Sequence, residues 1–145
     1  IVYWPKKIKP SKSDALISQV DFFASFAKLI GAKLENEETA PDSFDMLDVL
    51  MGKTNKGRQL MVEESFTMSL RKNNWKYIAP QNELNLGWIA NKGIQSGIQS
   101  SPQLYILSND PGEKENLADK FPERVVMLAN ELKKVMESPT RKIKK

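Results

Sequence analysis

The stretch PQLYILSNDPGEKENLADKFPERVVMLANELKKVM, Pro102–Met136, decides how the rest of the chain reads. Leu104, Tyr105, Ile106 and Leu107 form a short apolar run, bounded by Pro102 and by Asn109-Asp110-Pro111-Gly112. That is a strand followed by a turn, with proline presetting φ at the corner and glycine available for positive φ. Phe121-Pro122-Glu123 then opens a helix, because proline at the first helical position gives up an N–H that has no helical partner anyway. Val125, Leu128, Ala129, Leu132, Val135 and Met136 recur at three- and four-residue steps, and Arg124, Asn130, Glu131, Lys133, Lys134 and Glu137 take the opposite side. Such a helix buries its apolar stripe against something, and a small sheet containing Leu104–Leu107 is the nearest surface.

Upstream, the antiparallel partners of that strand are visible. Phe66, Met68 and Leu70 alternate with Thr67 and Ser69, a period of two. Asn73-Asn74 then separates this run from Trp75–Ile78, which predicts a β-hairpin. Gln59–Glu64 alternates weakly and adds a strand. The middle of the chain is therefore expected to be a meander of about four strands, closed by the C-terminal helix.

Before residue 59 the reading is strand and helix. Ile1-Val2-Tyr3-Trp4 is a β-rich run ended by Pro5, and Ala15–Val20 is a short mixed run compatible with an extended segment. Asp21 reads as an N-cap for a helix over Phe22–Ile30 that stops at Gly31. Phe22, Phe23 and Phe26 at helical spacing read as core rather than as a ligand box. The acidic stretch around Glu35, Glu37 and Glu38 is a solvated loop whose spacing fits no calcium loop. Asp42-Ser43-Phe44-Asp45 leads into a short helix ending at Gly52, with Asp45 as its cap.

Composition bounds the chemistry. The chain has 145 residues, 22 Lys+Arg against 18 Asp+Glu, and a net charge of +4. Much of the excess is the tail Arg141-Lys142-Lys144-Lys145, a solvated end rather than a nucleic-acid arm, so no nucleic-acid partner is expected. No run of ~18 apolar residues predicts a transmembrane helix, and no membrane partner is expected. The chain contains neither Cys nor His, which removes thiolate ligands, a cysteine nucleophile and the commonest general base. The stretch Gln81–Ser101 is long, irregular and glycine-rich, and it contains the small duplication GIQS-GIQS over 93–100. Loops of that length tend to be functional or disordered.

Taken in order, these motifs resemble the C-terminal part of an arylsulfatase-type sulfatase, within the alkaline-phosphatase-like superfamily. Tyr3-Trp4-Pro5 looks like the family's strand ending in Trp-Pro. Val20-Asp21-Phe22-Phe23…Ala27…Gly31 resembles the helix written D-L-x-P-T-x-x-x-x-A-G, and Asp42–Gly52 the segment that follows it. Arg71…Trp75-Lys76-Tyr77-Ile78 looks like the R-x-x-x-W-K-Y/L-I hairpin. The most specific match is Leu104-Tyr105-Ile106-Leu107…Asp110-Pro111-Gly112-Glu113…Asn116-Leu117, similar to L-Y-x-L-x-x-D-P-x-E-x-x-N-L. The chain departs from the pattern at Ala24-Ser25, where Pro-Thr is usual, at Ser43, where Gly is common, and at Lys6, where Gly often follows.

The resemblance implies an α+β fold: a small antiparallel sheet packed by a C-terminal amphipathic helix, plus a partial N-terminal strand-helix portion of a larger α/β sulfatase domain. It divides the chain into 1–58, the trailing part of the catalytic domain, and 59–145, a C-terminal subdomain. The parent would hydrolyse aryl or carbohydrate sulfate esters with calcium and a formylglycine made within a C/S-x-P-x-R motif. Ser138-Pro139-Thr140-Arg141 and Ser100-Ser101-Pro102 do not supply that motif, so this chain is expected to hold no catalytic and no metal-binding residue and to be inactive alone. The implied partners are a missing N-terminal catalytic domain and, for the parent, a sulfated substrate. The implied location is extracytoplasmic. Trp88 and Asn91, an aromatic beside an amide, are the candidate pocket-wall residues. If the chain is a piece of a larger one, Ile1–Trp4 and the Phe22–Ile30 helix are expected to leave apolar faces without partners, or to meet an oligomer contact. A stand-alone α+β interaction module and a related phosphoesterase are the alternatives.

Overall fold

The computed structural model describes residues 1–35, 38–82 and 97–140. Two compact units divide the chain, one formed by Ile1–Met61 with Ser138–Lys145 and the other by Val62–Glu137.

A four-stranded sheet has the order β1-β2-β3-β4, with β1 Leu60–Glu64, β2 Met68–Lys72, β3 Trp75–Ile78 and β4 Gln103–Ile106, and its last three strands lie wholly in the second unit. β2 and β3 pair antiparallel with Lys72 opposite Trp75, so Asn73-Asn74 is a two-residue turn, and Asn73 takes the positive φ of +53°. Asparagine tolerates that region better than most residues. β3 and β4 pair antiparallel from Trp75 opposite Ile106 to Ile78 opposite Gln103.

Because side chains alternate across a strand, this register sorts the sheet into two faces. Leu70, Tyr77 and Leu104 lie in one row of the first face, and Lys72, Trp75 and Ile106 in the next. The helix α3, Pro122–Glu137, covers this face by packing on β2 and β3 and burying Leu128, Leu132 and Val135. Phe121 meets Trp75 edge to face at 5.4 Å, and the Arg124 guanidinium lies 4.6 Å over the same indole. Lys72 Nζ donates to both Glu131 carboxylate oxygens, at 2.7 and 2.8 Å. The other face carries Ser69, Ile78 and Gln103 in one row and Arg71, Lys76 and Tyr105 in the next. It is the polar face.

The predicted turn after β4 forms, with one change. Glu113, not Gly112, adopts positive φ, at +53°. The Asp110 carboxylate accepts the N–H groups of Lys114 and Glu115 at 2.8 and 2.9 Å, and this places the bend one residue later than the glycine. Asn116 anchors the return: its Oδ1 accepts from Leu104 N at 2.9 Å and Ala118 N at 3.0 Å.

In the first unit, α1 spans Asp21–Leu29 and α2 Leu47–Leu50. Gly31, at φ +73°, ends α1 in a Schellman arrangement: Gly31 N donates to Lys28 O and Ala32 N to Ala27 O. Asp45 is not the cap of α2 that was expected: the N-cap is Met46, with no side-chain cap bond, and Asp45, one residue earlier, accepts from Leu47 N with Oδ1 at 3.0 Å. Two further expectations are corrected. Ile1–Trp4 forms no strand, because no described segment offers its backbone a ladder; instead Trp4 O accepts the N–H groups of Lys7 and Ile8 at 2.8 Å. Phe23 and Phe26 are not core: they are 55% and 52% exposed, and Ile1, Tyr3, Leu29 and Ile30 are exposed as well. Helical spacing correctly gathers the apolar side chains on one face but does not say whether anything covers it.

Candidate functional site

Two polar constellations stand out among the described residues. The first centres on Asp21, which is not an N-cap: it is the first helical residue, and α1 has no side-chain cap bond. Its carboxylate is fully buried and turned into the unit, because Arg58 is there to meet it. Arg58 Nε donates to Oδ2 at 2.7 Å and Nη2 to Oδ1 at 2.5 Å, a bidentate fork. Ser18 N and Phe44 N donate to the same two oxygens at 2.9 Å each. Arg58 Nη2 also donates to Asp42 O, and its guanidinium lies 4.6 Å over the Phe44 ring.

Gly57 sets this geometry. A Cβ at that position would lie 2.4 Å from Leu16 O, so only glycine lets the chain pass and deliver Arg58, whose N–H donates to Leu16 O at 2.7 Å. Every lone pair on Asp21 is used, and the arrangement has nothing left to offer a substrate.

The same knot explains two departures from the sulfatase pattern. Alanine at 24 has an N–H that proline would lack, and Ser43, where glycine is usual, accepts it with Oγ at 2.9 Å. Ser25 Oγ donates to Asp21 O at 2.6 Å and accepts from Met46 N at 2.9 Å. Ala24 and Ser43 are thus joined by a hydrogen bond that a proline at 24 with a glycine at 43 could not make.

The second constellation is the polar face of the sheet. Tyr105 and Gln103 are 4% and 2% exposed, and the tyrosine O–H donates to Gln103 Oε1 at 2.8 Å. Gln103 Nε2 donates to Gly97 O at 2.6 Å, and Gln81 N to Gln99 O at 2.8 Å. Burial, reinforced by the charges of Glu113 and Asp110, pushes the Tyr105 phenol above its ordinary value. Lys76 Nζ meets Glu113 Oε1 at 2.6 Å in a half-buried pair. Arg71, directly across from Lys76, has a buried Nε with no hydrogen-bond partner among the described residues. A cleft of about 890 Å³ opens on this face, between Gly97–Gln99 and Pro111–Lys114, with Gln103 and Tyr105 among its walls.

Trp88 and Asn91 lie outside the described residues. Among the described residues no group of three His, Cys, Asp or Glu is placed to hold a metal ion, and no described helix is long and apolar enough to cross a membrane. The sequence reading missed Gln103, Tyr105 and Glu113 as a cluster. The alternation of β4 against β3 was the available signal, because it puts Lys76 and Tyr105 in one row.

No family model matches the chain. An N-acetylgalactosamine-6-O-sulfatase of Bacteroides thetaiotaomicron is 41% identical over 140 residues, 95% of this chain and 26% of that protein. Human arylsulfatase A is 28% identical over 129 residues, 81% of this chain and 25% of its own length. A solved structure from work on the metabolism of multiple glycosaminoglycans by Bacteroides thetaiotaomicron superposes with a TM-score of 0.82 at 39% identity, over 93% of this chain and 28% of that one. The chain therefore spans about a quarter of the curated relatives named here, and the α+β arrangement expected from its motifs is the one that superposes.

Proposed function

Taking the chain as a portion of a sulfatase, which its match over 95% of its length fits, we propose that it is the C-terminal region of an enzyme that hydrolyses sulfate esters. The 41% identity to an N-acetylgalactosamine-6-O-sulfatase carries this reading and favours a carbohydrate sulfate over an aryl sulfate as the parent's substrate. On this proposal residues 1–58 are the trailing part of the catalytic domain and 59–145 a C-terminal subdomain. The missing N-terminal catalytic domain is the partner of the exposed apolar residues of Ile1–Trp4 and α1, a role that otherwise falls to an oligomer contact.

The residues present do not fit the family's groups. The chain has no Cys, no His and no C/S-x-P-x-R motif to become formylglycine, and the described carboxylates form no calcium cluster. Those groups belong to the parent. The part played by this chain is structural, with a share of the pocket wall. Trp88 and Asn91 are proposed for that wall because the described residues Gly97–Gln99, C-terminal to them, border the cleft on the sheet. The likeness to sulfatases also supports an extracytoplasmic location.

The test is turnover by the parent and by the isolated 145 residues on a sulfated hexosamine, an aryl sulfate and an aryl phosphate. Sulfate release by the parent alone is expected. Activity of the isolated chain overturns the structural role, and phosphate-only turnover by the parent overturns the sulfatase reading.

A further inference from the structure

The cleft on the polar face has properties that the catalytic assignment does not use. Its volume, about 890 Å³, falls in the range of ~300–1,000 Å³ typical of small-molecule sites. Its floor is rigid: Tyr105 and Gln103 are buried, bonded to each other, and bonded through Gln103 Nε2 to Gly97 O. Ile78, Ile98 and Pro111 add apolar surface to a lining that is otherwise amide, phenol and charge. Glu113 stands at its edge in the left-handed region, at φ +53°, although Gly112 beside it would take that conformation without strain. A non-glycine residue held there costs about 1 kcal/mol, and such strain collects at binding sites. Lys76 engages Oε1 of Glu113, and among the described residues Oε2 accepts no hydrogen bond.

A fixed carboxylate acceptor, amides that both donate and accept, and small apolar patches suit a pyranose ring. The hydroxyls need acceptors and donors in equal measure, and the C–H face needs apolar contact. We propose that this cleft is a saccharide subsite of the parent enzyme, which binds a sugar unit of a sulfated oligosaccharide through Glu113 and Gln99. The inference rests on the sulfatase reading above and adds the place where the substrate extends beyond its sulfated unit.

The experiment uses the full-length parent with three substrates: an aryl sulfate, a sulfated hexosamine and a sulfated trisaccharide ending in that hexosamine. Glu113→Gln removes the charged acceptor and keeps the size of the side chain. Its KM for the trisaccharide rises about tenfold, the scale of one lost charge-assisted hydrogen bond. kcat, and both constants on the two small substrates, stay within about twofold. Gln99→Ala, at an exposed rim position, gives about a threefold KM rise on the trisaccharide alone, the scale of a neutral hydrogen bond, and keeps the test decisive if Glu113→Gln unfolds. Equal losses on all three substrates, or no change on the trisaccharide in either variant, overturn the subsite. If the parent cleaves no sulfate ester, the sulfatase reading fails, and calorimetric titration with the desulfated trisaccharide still decides the cleft. Saturable binding that Gln99→Ala weakens supports it; absence of binding overturns it.

Discussion

The knot around Asp21 and the polar face around Tyr105 are both built from charged and amide side chains, yet they end in opposite states. At Asp21 the donors and acceptors match: two guanidinium N–H groups and two backbone N–H groups use both carboxylate oxygens. On the polar face they do not. Arg71 Nε is buried without a partner among the described residues, Lys76 satisfies one oxygen of Glu113, and a cleft remains. A closed polar network rigidifies a fold, whereas one with groups left over is where a ligand can add something. The contrast assigns stability to the first region and recognition to the second, and substitutions in the parent protein test it.

Asp21→Ala is expected to cost most, about 3–5 kcal/mol, because it strands Arg58 as a buried uncompensated charge. Urea unfolding of the parent measures it. A loss below about 1 kcal/mol, the range of an exposed pair, would mean that water reaches this pair and the contrast fails.

Ser43→Gly is expected to cost about 1–2 kcal/mol, since it leaves the Ala24 N–H without the hydroxyl that accepts it. The same change in an Ala24→Pro background should cost much less, because proline has no N–H to satisfy. Additive losses in this double-mutant cycle would show that the two positions are not energetically coupled.

Tyr105→Phe is expected to cost least, about 0.5–1 kcal/mol, by removing the donor to Gln103 Oε1. It also carries a pH signature. Burial first, then the nearby Glu113 and Asp110, raises the phenol's pKa in the folded protein. The stability linked to it is complete below the unfolded phenol's value and is lost as pH rises through the raised folded value. Denaturation scans from neutral to alkaline pH should show a steeper alkaline fall in the wild type than in Tyr105→Phe. Parallel curves would remove the phenol from the buried network.

Much of the fold was legible because local physics decides it. Alternation over Phe66–Leu70, the Asn73-Asn74 turn, Pro122 at a helix start and the apolar stripe through Leu128, Leu132 and Val135 each act over a few residues. The site was less legible. Lys76 and Tyr105 lie far apart in the chain and become neighbours only through the register of β3 against β4. Asp21 had the local look of a helix cap, and its meeting with Arg58 depends on the passage of Gly57 across Leu16.

By itself the sequence determined which segments become strands and helices in the sheet unit, the sulfatase likeness, and the lack of Cys, His and a C/S-x-P-x-R motif. Tertiary structure alone decided which polar groups are used up and which are left over. It closed Asp21 onto Arg58, left the phenylalanine face of α1 uncovered, and set Glu113 beside a cleft. The physical reason is that secondary structure follows from neighbours within a few positions, whereas burial and hydrogen-bond satisfaction depend on residues that the folded chain brings together from far along its length.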